Sequence, residues 1–510
     1  MTESRIPPFS RRRLVQAAGS TAAAGFLPAA ATPQAGVYTR LGVRPFINTT
    51  ATLTINGGAP MHPEVRKAMD EAALWAVNLD ELMEKAGARV AELLGAEAAI
   101  ITAGCASALC HATAAAIAGC DPERMKRLPD SAGMRNEVLI AKQSRNDYDH
   151  AYRTGGGKLI EFDSREEFFA SFSRRTGLVV VLGTGEARGK VRLEEIAEVA
   201  HKRHVPVIVD AAAELPFRPN PYLSRGADIV GYSGGKILRG PQSAGLLIGR
   251  KDLVRAAFLN SAPHHGYGRA MKVSKEEIVG MCTAIELFSR ERIEADYRTW
   301  ESWLHTIAQS LDSVPGVTTK MSPPAGASPF PVLHVSWDPS RIFLTGAEVH
   351  AQLLDGEPRI MSHAAGDATN FVIRPVAMRP EHPPIVARRL AEVFRTAPTS
   401  PKAPPAPPSA NLTGAWDVAI EFIAGKTHHT LVFDPPNGNA AKLRGLHIGK
   451  SVQSRFSGSI SGGHIRLQST LPLEGMRIQY NFQGTVNGDT LSGDLSLGEF
   501  GMARFTARRI

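Results

Sequence analysis

Two hydrophobic periodicities divide this 510-residue chain. Over residues 36–395, short apolar runs alternate with stretches that repeat apolar positions every three to four residues. The runs at 99–102, 138–140, 159–162, 178–182, 205–209, 229–232 and 245–248 read as strands, and several lack the polar face of a half-solvated strand. Residues 79–94 and 193–201 carry the helical period. Apolar strands alternating with helices predict a mainly parallel, seven-stranded type of α/β sheet. Its large domain spans residues 36–285 with an N-terminal arm, and a smaller α+β unit follows over 286–395.

After residue 411 the period drops to two. Trp416, Val418, Ile420 and Phe422 alternate with Asp417, Ala419 and Glu421, and turn pairs recur at Asn437-Gly438, Gly462-Gly463, Asn487-Gly488 and Ser492-Gly493. An antiparallel β-barrel or sandwich over 411–510 is expected. Gly414-Ala415-Trp416 resembles the Gly-x-Trp opening of lipocalin-like barrels. The joint, 396–410, holds six prolines between 398 and 408, so it reads as an extended semi-rigid linker. His428 and His429, adjacent on a strand, point to opposite faces and cannot share a metal.

The net charge of +9 raises the question of a nucleic-acid partner. Four arginines face one glutamate in residues 1–31, and ten basic residues face seven acidic ones in 411–510. The surplus is spread along the chain, with no basic run, and gives no support to nucleic-acid binding. Residues 1–31 read as a twin-arginine export signal: Arg11-Arg12-Arg13, a weakly apolar Ala-rich stretch, then Pro28-Ala29-Ala30-Ala31. The implied location is the periplasm. No segment is long and apolar enough for a membrane span. Cys105, Cys110, Cys120 and Cys282 match neither a disulfide framework nor a zinc pattern.

Three strand ends carry candidate chemistry. The run ending at Asp210 places a carboxylate where parallel sheets bind ligands. Residues 228–236 then form a strand leading through Ser233-Gly234-Gly235 to Lys236. A lysine can hold an aldehyde as an imine, and a carboxylate can keep a pyridine nitrogen protonated. Pyridoxal 5'-phosphate needs both. The third, Gly104-Cys105-Ala106-Ser107, precedes a helix over about 107–117, and its small residues suit a phosphate at a helix N-terminus. Taken singly, each is also a surface lysine, a helix cap or a tight turn. Their order along one chain argues for a cofactor site.

Residues 38–394 resemble the branch of pyridoxal-phosphate enzymes that contains selenocysteine synthase and D-glucosaminate-6-phosphate ammonia-lyase. The likeness rests on residues 41–48, on 207–216, on Ser233-Gly234-Gly235-Lys236 with 239–243, and on Pro263-His264-His265-Gly266 through Arg269 to Lys272. It implies the aspartate-aminotransferase fold (fold type I), a homodimer or larger homo-oligomer with shared sites, and a small-molecule amino substrate. Lys236 and Asp210 would be catalytic, Ser233 would join the Gly104–Ser107 turn on the phosphate, and Gln242, His265 and Arg269 would line the site from a loop or a neighbouring subunit. Arg374 is a candidate clamp for a substrate carboxylate, because guanidinium binds carboxylate bidentately. One departure stands out: where these relatives place a histidine that stacks on the cofactor, this chain has Ser144.

The resemblance favours α,β-elimination on an amino acid or amino-sugar acid. The same residues also serve racemisation or transamination. Selenium transfer to a charged tRNA fits poorly with an export signal, and an exported binding protein without activity fits poorly with Lys236 and Asp210.

Overall fold

The computed structural model describes residues 36–325, 328–401 and 406–510; the twin-arginine segment lies outside them. The first strand, β1 (Ile47–Asn48), belongs to the N-terminal arm. Seven follow in the large domain: β2 (Ala98–Thr102), β3 (Glu137–Ala141), β4 (Lys158–Phe162), β5 (Thr176–Leu182), β6 (Val207–Asp210), β7 (Ile229–Ser233) and β8 (Gly245–Gly249). They make one sheet in the order β2-β8-β7-β6-β5-β3-β4. All neighbours are parallel except β8, which runs antiparallel to both β2 and β7. Every residue of β6 and β8 is buried, which explains why these runs carry no polar face.

Local chemistry sets the helices around this sheet. The Leu79–Leu94 helix starts at Asn78, whose side chain accepts the Glu81 N–H at 3.0 Å, and stops at Gly95 in the left-handed conformation (φ 66°). The Gly104–Ala118 helix is alanine-rich and buried nearly all round, so small side chains let it pack closely between the sheet and the Lys251–Asn260 helix. It begins three residues earlier than the sequence pattern suggested, so the phosphate turn is the helix's own first turn.

The second core is built on an antiparallel sheet of β9 (Val317–Ser322), β10 (Val332–Trp337) and β12 (Asn370–Ile373), with β11 (Ile360–Met361) apart. The Arg290–Asp312 and His382–Arg395 helices pack together against it through Leu304, Leu311 and Leu390. Strand β1 pairs in parallel with β11, and Ile47 belongs to this second core. The N-terminal arm is thereby bound to the smaller unit as well as to the larger.

The C-terminal strands form a closed eight-stranded antiparallel barrel: β13 (Gly414–Glu421), β14 (Lys426–Phe433), β15 (Lys442–Ile448), β16 (Gln453–Ser461), β17 (His464–Leu473), β18 (Met476–Asn487), β19 (Thr490–Ser496) and β20 (Met502–Arg509). Trp416, Phe433, Phe456, Phe482 and Phe505 fill its interior. Two details differ from the sequence pattern. Phe422 lies beyond the end of β13 and is exposed, and Ser492-Gly493 sits inside β19 rather than at a turn. Gly493 faces Gly484 of β18, and a Cβ at Gly484 would come within 2.9 Å of the Phe505 ring. These glycines make room for an aromatic in the core.

His428 is exposed beside Asp417, while His429 points inward, as alternation requires. Inside the barrel His429 Nδ1 lies 2.9 Å from His447 Nε2, and His447 Nδ1 lies 2.6 Å from Ser469 Oγ. Burial, with a small contribution from His429, pushes the His447 pKa down to about 3 from 6.5, so the imidazole is neutral in the folded barrel. The unfolded chain binds a proton there below about pH 6.5, and the folded chain only near pH 3. Stability is therefore full above pH 6.5 and is lost as pH falls through that window, on the order of 3–5 kcal/mol. Hydrogen exchange of β14, β15 and β17 amides should accelerate over this range, and His447→Gln should flatten the dependence. A slope unchanged by the substitution would contradict the assignment.

Candidate active site

Three segments converge at one edge of the sheet. Gly245, the first residue of β8, is the register partner of both Thr102 and Ser233. A Cβ on Gly245 would overlap the Gly104 backbone, so the start of the Gly104–Ala118 helix lies directly on β8. Gly104 itself needs its left-handed φ of 83° to leave β2 and enter the helix. At that N-terminus Ala103 offers no side-chain cap, so the first N–H groups are open to an anion. Ser233 stands one strand away.

Asp210 closes β6 beside Gly231 of β7 and is 4% exposed. Its Oδ1 accepts the Ala212 N–H at 3.0 Å and lies 3.8 Å from Cys105 Sγ. Burial raises its pKa, against which the Ala212 N–H, the Lys236 charge and Cys105 all work. Cys105 is itself buried, its thiol pushed well up by burial and by the neighbouring Asp210 charge. It is therefore a neutral thiol packed behind the carboxylate.

Lys236 is half-buried in the turn after β7 and makes no direct salt bridge among the described residues, although its charge reaches Asp210. The turn is held by Gly234 N–H to Ala244 O (2.8 Å), Gly240 N–H to Gly234 O (2.9 Å) and Arg239 N–H to Lys236 O (3.0 Å). Arg239 takes a positive φ of 51° to close it. The N-terminal arm clasps the same turn: Ala59 N–H reaches Gly235 O at 3.3 Å, His62 N–H reaches Arg239 O at 3.0 Å, and Arg239 Nε donates to Pro60 O at 3.1 Å. Gln242 fills the gap between arm and turn. A Cβ on Gly58 or on Gly235 would overlap it, and its Oε1 is buried without a partner.

The other end of the arm meets Arg374. The Arg374 N–H donates to Thr49 O at 2.9 Å, and its half-buried guanidinium has no carboxylate partner among the described residues. Burial lowers its pKa. Asn48 ties the arm between them, accepting the Thr50 N–H at 2.8 Å and the Thr50 hydroxyl at 2.7 Å while donating to Ala51 O at 2.9 Å. A single stretch of the arm thus runs from the Lys236 turn to a half-buried guanidinium with no carboxylate partner among the described residues.

His265 and Arg269 are placed differently. Both are exposed, and the His265 carbonyl accepts Lys126 Nζ at 2.6 Å. Lys126 follows the far end of the Gly104–Ala118 helix, about 22 Å long at 1.5 Å per residue. These two do not meet Lys236 within their own chain. Ala106 is exposed in the first turn of that helix, and Ser107 is buried. Ser107 Oγ lies 3.0 Å from Nε2 of His111, a histidine that sequence reasoning passed over although the i, i+4 spacing places it on the same face. Burial lowers its pKa to about 4, so it is neutral.

Ser144 is buried after β3, in a loop closed by Asn146 and Asp149, whose side chains cap each other's backbone N–H groups. Tyr148 on this loop is half-exposed and within electrostatic reach of Asp210 and Cys105. The barrel rests on the same loop. The β17–β18 turn, Glu474-Gly475, has φ of 50° and 81°, and Glu474 pairs with Arg153 at 2.5 Å and with Arg145 at 3.6 Å. A Cβ on Gly475 would overlap Asp149. No short-range pattern announces this docking.

The class-V aminotransferase family model matches residues 70–357. D-glucosaminate-6-phosphate ammonia lyase of Salmonella typhimurium is 32% identical over 332 residues, covering 63% of this chain and 87% of that protein. A 5'-C-glycyluridine monooxygenase-decarboxylase of Streptomyces sp. is 32% identical, covering 70% of this chain and 92% of that protein. An L-seryl-tRNA(Sec) selenium transferase of Geobacter metallireducens is 26% identical, with 59% of its length covered. The solved D-glucosaminate-6-phosphate ammonia-lyase structure superposes with a TM-score of 0.64 at 29% identity, covering 71% of this chain and 98% of that one. The barrel lies beyond the family match. The chain belongs to the class-V aminotransferase family of pyridoxal-phosphate-dependent, fold type I enzymes.

Proposed function

We propose that this enzyme catalyses α,β-elimination on an amino acid or amino-sugar acid carrying a free carboxylate. The observation that carries this reading is the single loop joining the Lys236 turn to the half-buried, carboxylate-free Arg374. The ammonia-lyase relatives support the reaction type. The residues fit the cofactor: an uncapped helix N-terminus and Ser233 for its phosphate, Lys236 as attachment point, and Asp210 for its ring nitrogen. Pyridoxal phosphate, when bound, supplies an aldehyde for the substrate amine and a ring that withdraws electrons from the substrate's α-carbon.

The chain's own groups do the rest. Asp210, buried and held by the Ala212 N–H, is aimed by its strand and keeps its ionised form when a cation adjoins it. Arg374 holds the substrate carboxylate bidentately and so fixes which α-substituent faces Lys236. Lys236 Nζ would be the base that takes the α-proton while the β-substituent departs with its bonding pair. The exposed His265 and Arg269 belong in this reading to a partner's site, in a homodimer or larger assembly. The Arg11-Arg12-Arg13 signal supports export to the periplasm.

Purified protein should show a visible cofactor band that borohydride fixes and that Lys236→Ala lacks. With candidate amino acids and amino-sugar acids, elimination should release ammonia and a keto acid; release of carbon dioxide instead would point to the chemistry named for the Streptomyces relative and overturn elimination. Arg374→Gln should raise KM for a carboxylate-bearing substrate by about tenfold to a hundredfold, as expected for a lost charge-assisted pair. The cofactor band should stay in place, and an unchanged KM would remove the clamp. Gly245→Ala should push the Gly104 turn outward and weaken cofactor affinity, measured by absorbance titration, by about tenfold or more.

A further inference from the structure

A second basic site lies at the seam between barrel and large domain. A cleft of about 900 Å³ is lined by Lys142, Arg145, Arg153 and Lys158 on one side and by Arg477 on the other, with Glu161 and Glu474 as its carboxylates. Arg145 is largely taken up by Asp149, Glu161 and Glu474. The remaining cations are not so matched. Lys142, Lys158 and Arg477 are exposed and have no carboxylate partner among the described residues, and Arg153 spends only Nη1 on Glu474. Arg153 Nε and Nη2 are buried guanidinium donors with no hydrogen-bond acceptor, and Arg145 Nη2 has only the 3.6 Å ion pair to Glu474.

Buried charged donors left unpaired cost stability, and a cluster of surplus cations repels itself. An oxyanion at this position answers both, because a guanidinium fork and flanking ammonium groups match its several oxygens. The cleft also has room for an organic portion beyond the anionic group. We propose that this seam binds a small molecule carrying a phosphate-type oxyanion, held between Arg153 and Lys158 of the large domain and Arg477 of the barrel. The site is separate from the cofactor cradle. Its large-domain residues follow β3 or lie on and before β4 at the sheet edge, whereas Asp210 ends β6 and Lys236 follows β7 nearer the centre. It does not rest on the proposed reaction.

The test is calorimetric titration of inorganic phosphate into the full-length holoenzyme, where bound cofactor closes its own phosphate site. Saturable binding that weakens with added potassium chloride is expected. It should persist in Arg374→Ala and weaken by about tenfold or more in the double variant Lys158→Glu/Arg477→Glu, whose side chains are exposed and unpaired. Circular dichroism and thermal melting establish that the double variant is folded. Arg477→Lys should retain most of the binding. Phosphate that binds the double variant as tightly as the parent overturns the proposal. So does binding lost in Arg374→Ala alone, which would place the anion in the substrate pocket, and so does the absence of saturable binding at millimolar phosphate.

Discussion

The charge of Asp210 organises the site. A carboxylate at the end of a fully buried strand loses its hydration, and one backbone N–H with a weak thiol contact does not replace it. What the strand end lacks is a cation, and the fold directs two toward it. One is Lys236, carried by the turn that follows the adjacent strand. In the proposed function the other would be the protonated ring nitrogen of the cofactor, which this carboxylate is placed to hold. The mainly parallel sheet matters because it puts β6 and β7 side by side with both carboxyl ends on one edge. The antiparallel β8 then brings the Gly104 helix start to that same edge.

Substrate recognition depends on a different constraint, the thickness of the arm. Residues 48–62 pass from the second core to the Lys236 turn and present backbone groups to it, which the turn meets with its own backbone and with the Arg239 and Gln242 side chains. Gly58 and Gly235 leave just enough space for Gln242, so the arm, the turn and the loop after it pack as one unit. The far end hydrogen-bonds the backbone of Arg374. Movement of the smaller unit relative to the larger therefore changes the separation of Arg374 and Lys236, the two groups that would hold opposite ends of an amino acid.

Much of this was legible in the sequence because it is local. Asp210 and Lys236 each end a short apolar run, and a strand end followed by small residues is a short-range signal. The barrel was legible in its alternation, since β13 needs only Trp416, Val418 and Ile420 to declare its inner face. The contacts that the sequence hid are those made across long separations. Gln242 against Gly58, Ile47 in the second core and the inward pairing of His429 with His447 depend on register between distant elements. His111 was hidden for another reason. In a helix buried on all sides no amphipathic stripe marks which face meets the functional serine. Phe422 shows the reverse error, where alternation continued in sequence beyond the last paired residue.

The barrel's place on the enzyme follows from backbone conformation as much as from charge. A two-residue hairpin turn with both residues at positive φ suits the twist of its strands and favours Asn-Gly. Here the first position is Glu474, a residue that takes this conformation at a cost. A turn built for the barrel alone would have no use for it. The cost is understandable once the carboxylate is seen between Arg145 and Arg153, with Gly475 pressed on Asp149 where no Cβ fits. The loop gripped in this way carries Ser144 and Tyr148, the latter within electrostatic reach of Asp210. The barrel hairpin supports this loop from outside, through Glu474 on Arg153 and Gly475 on Asp149. The added domain is thus tied, by a residue held at positive φ, to the loop that carries Ser144 and Tyr148 beside Asp210.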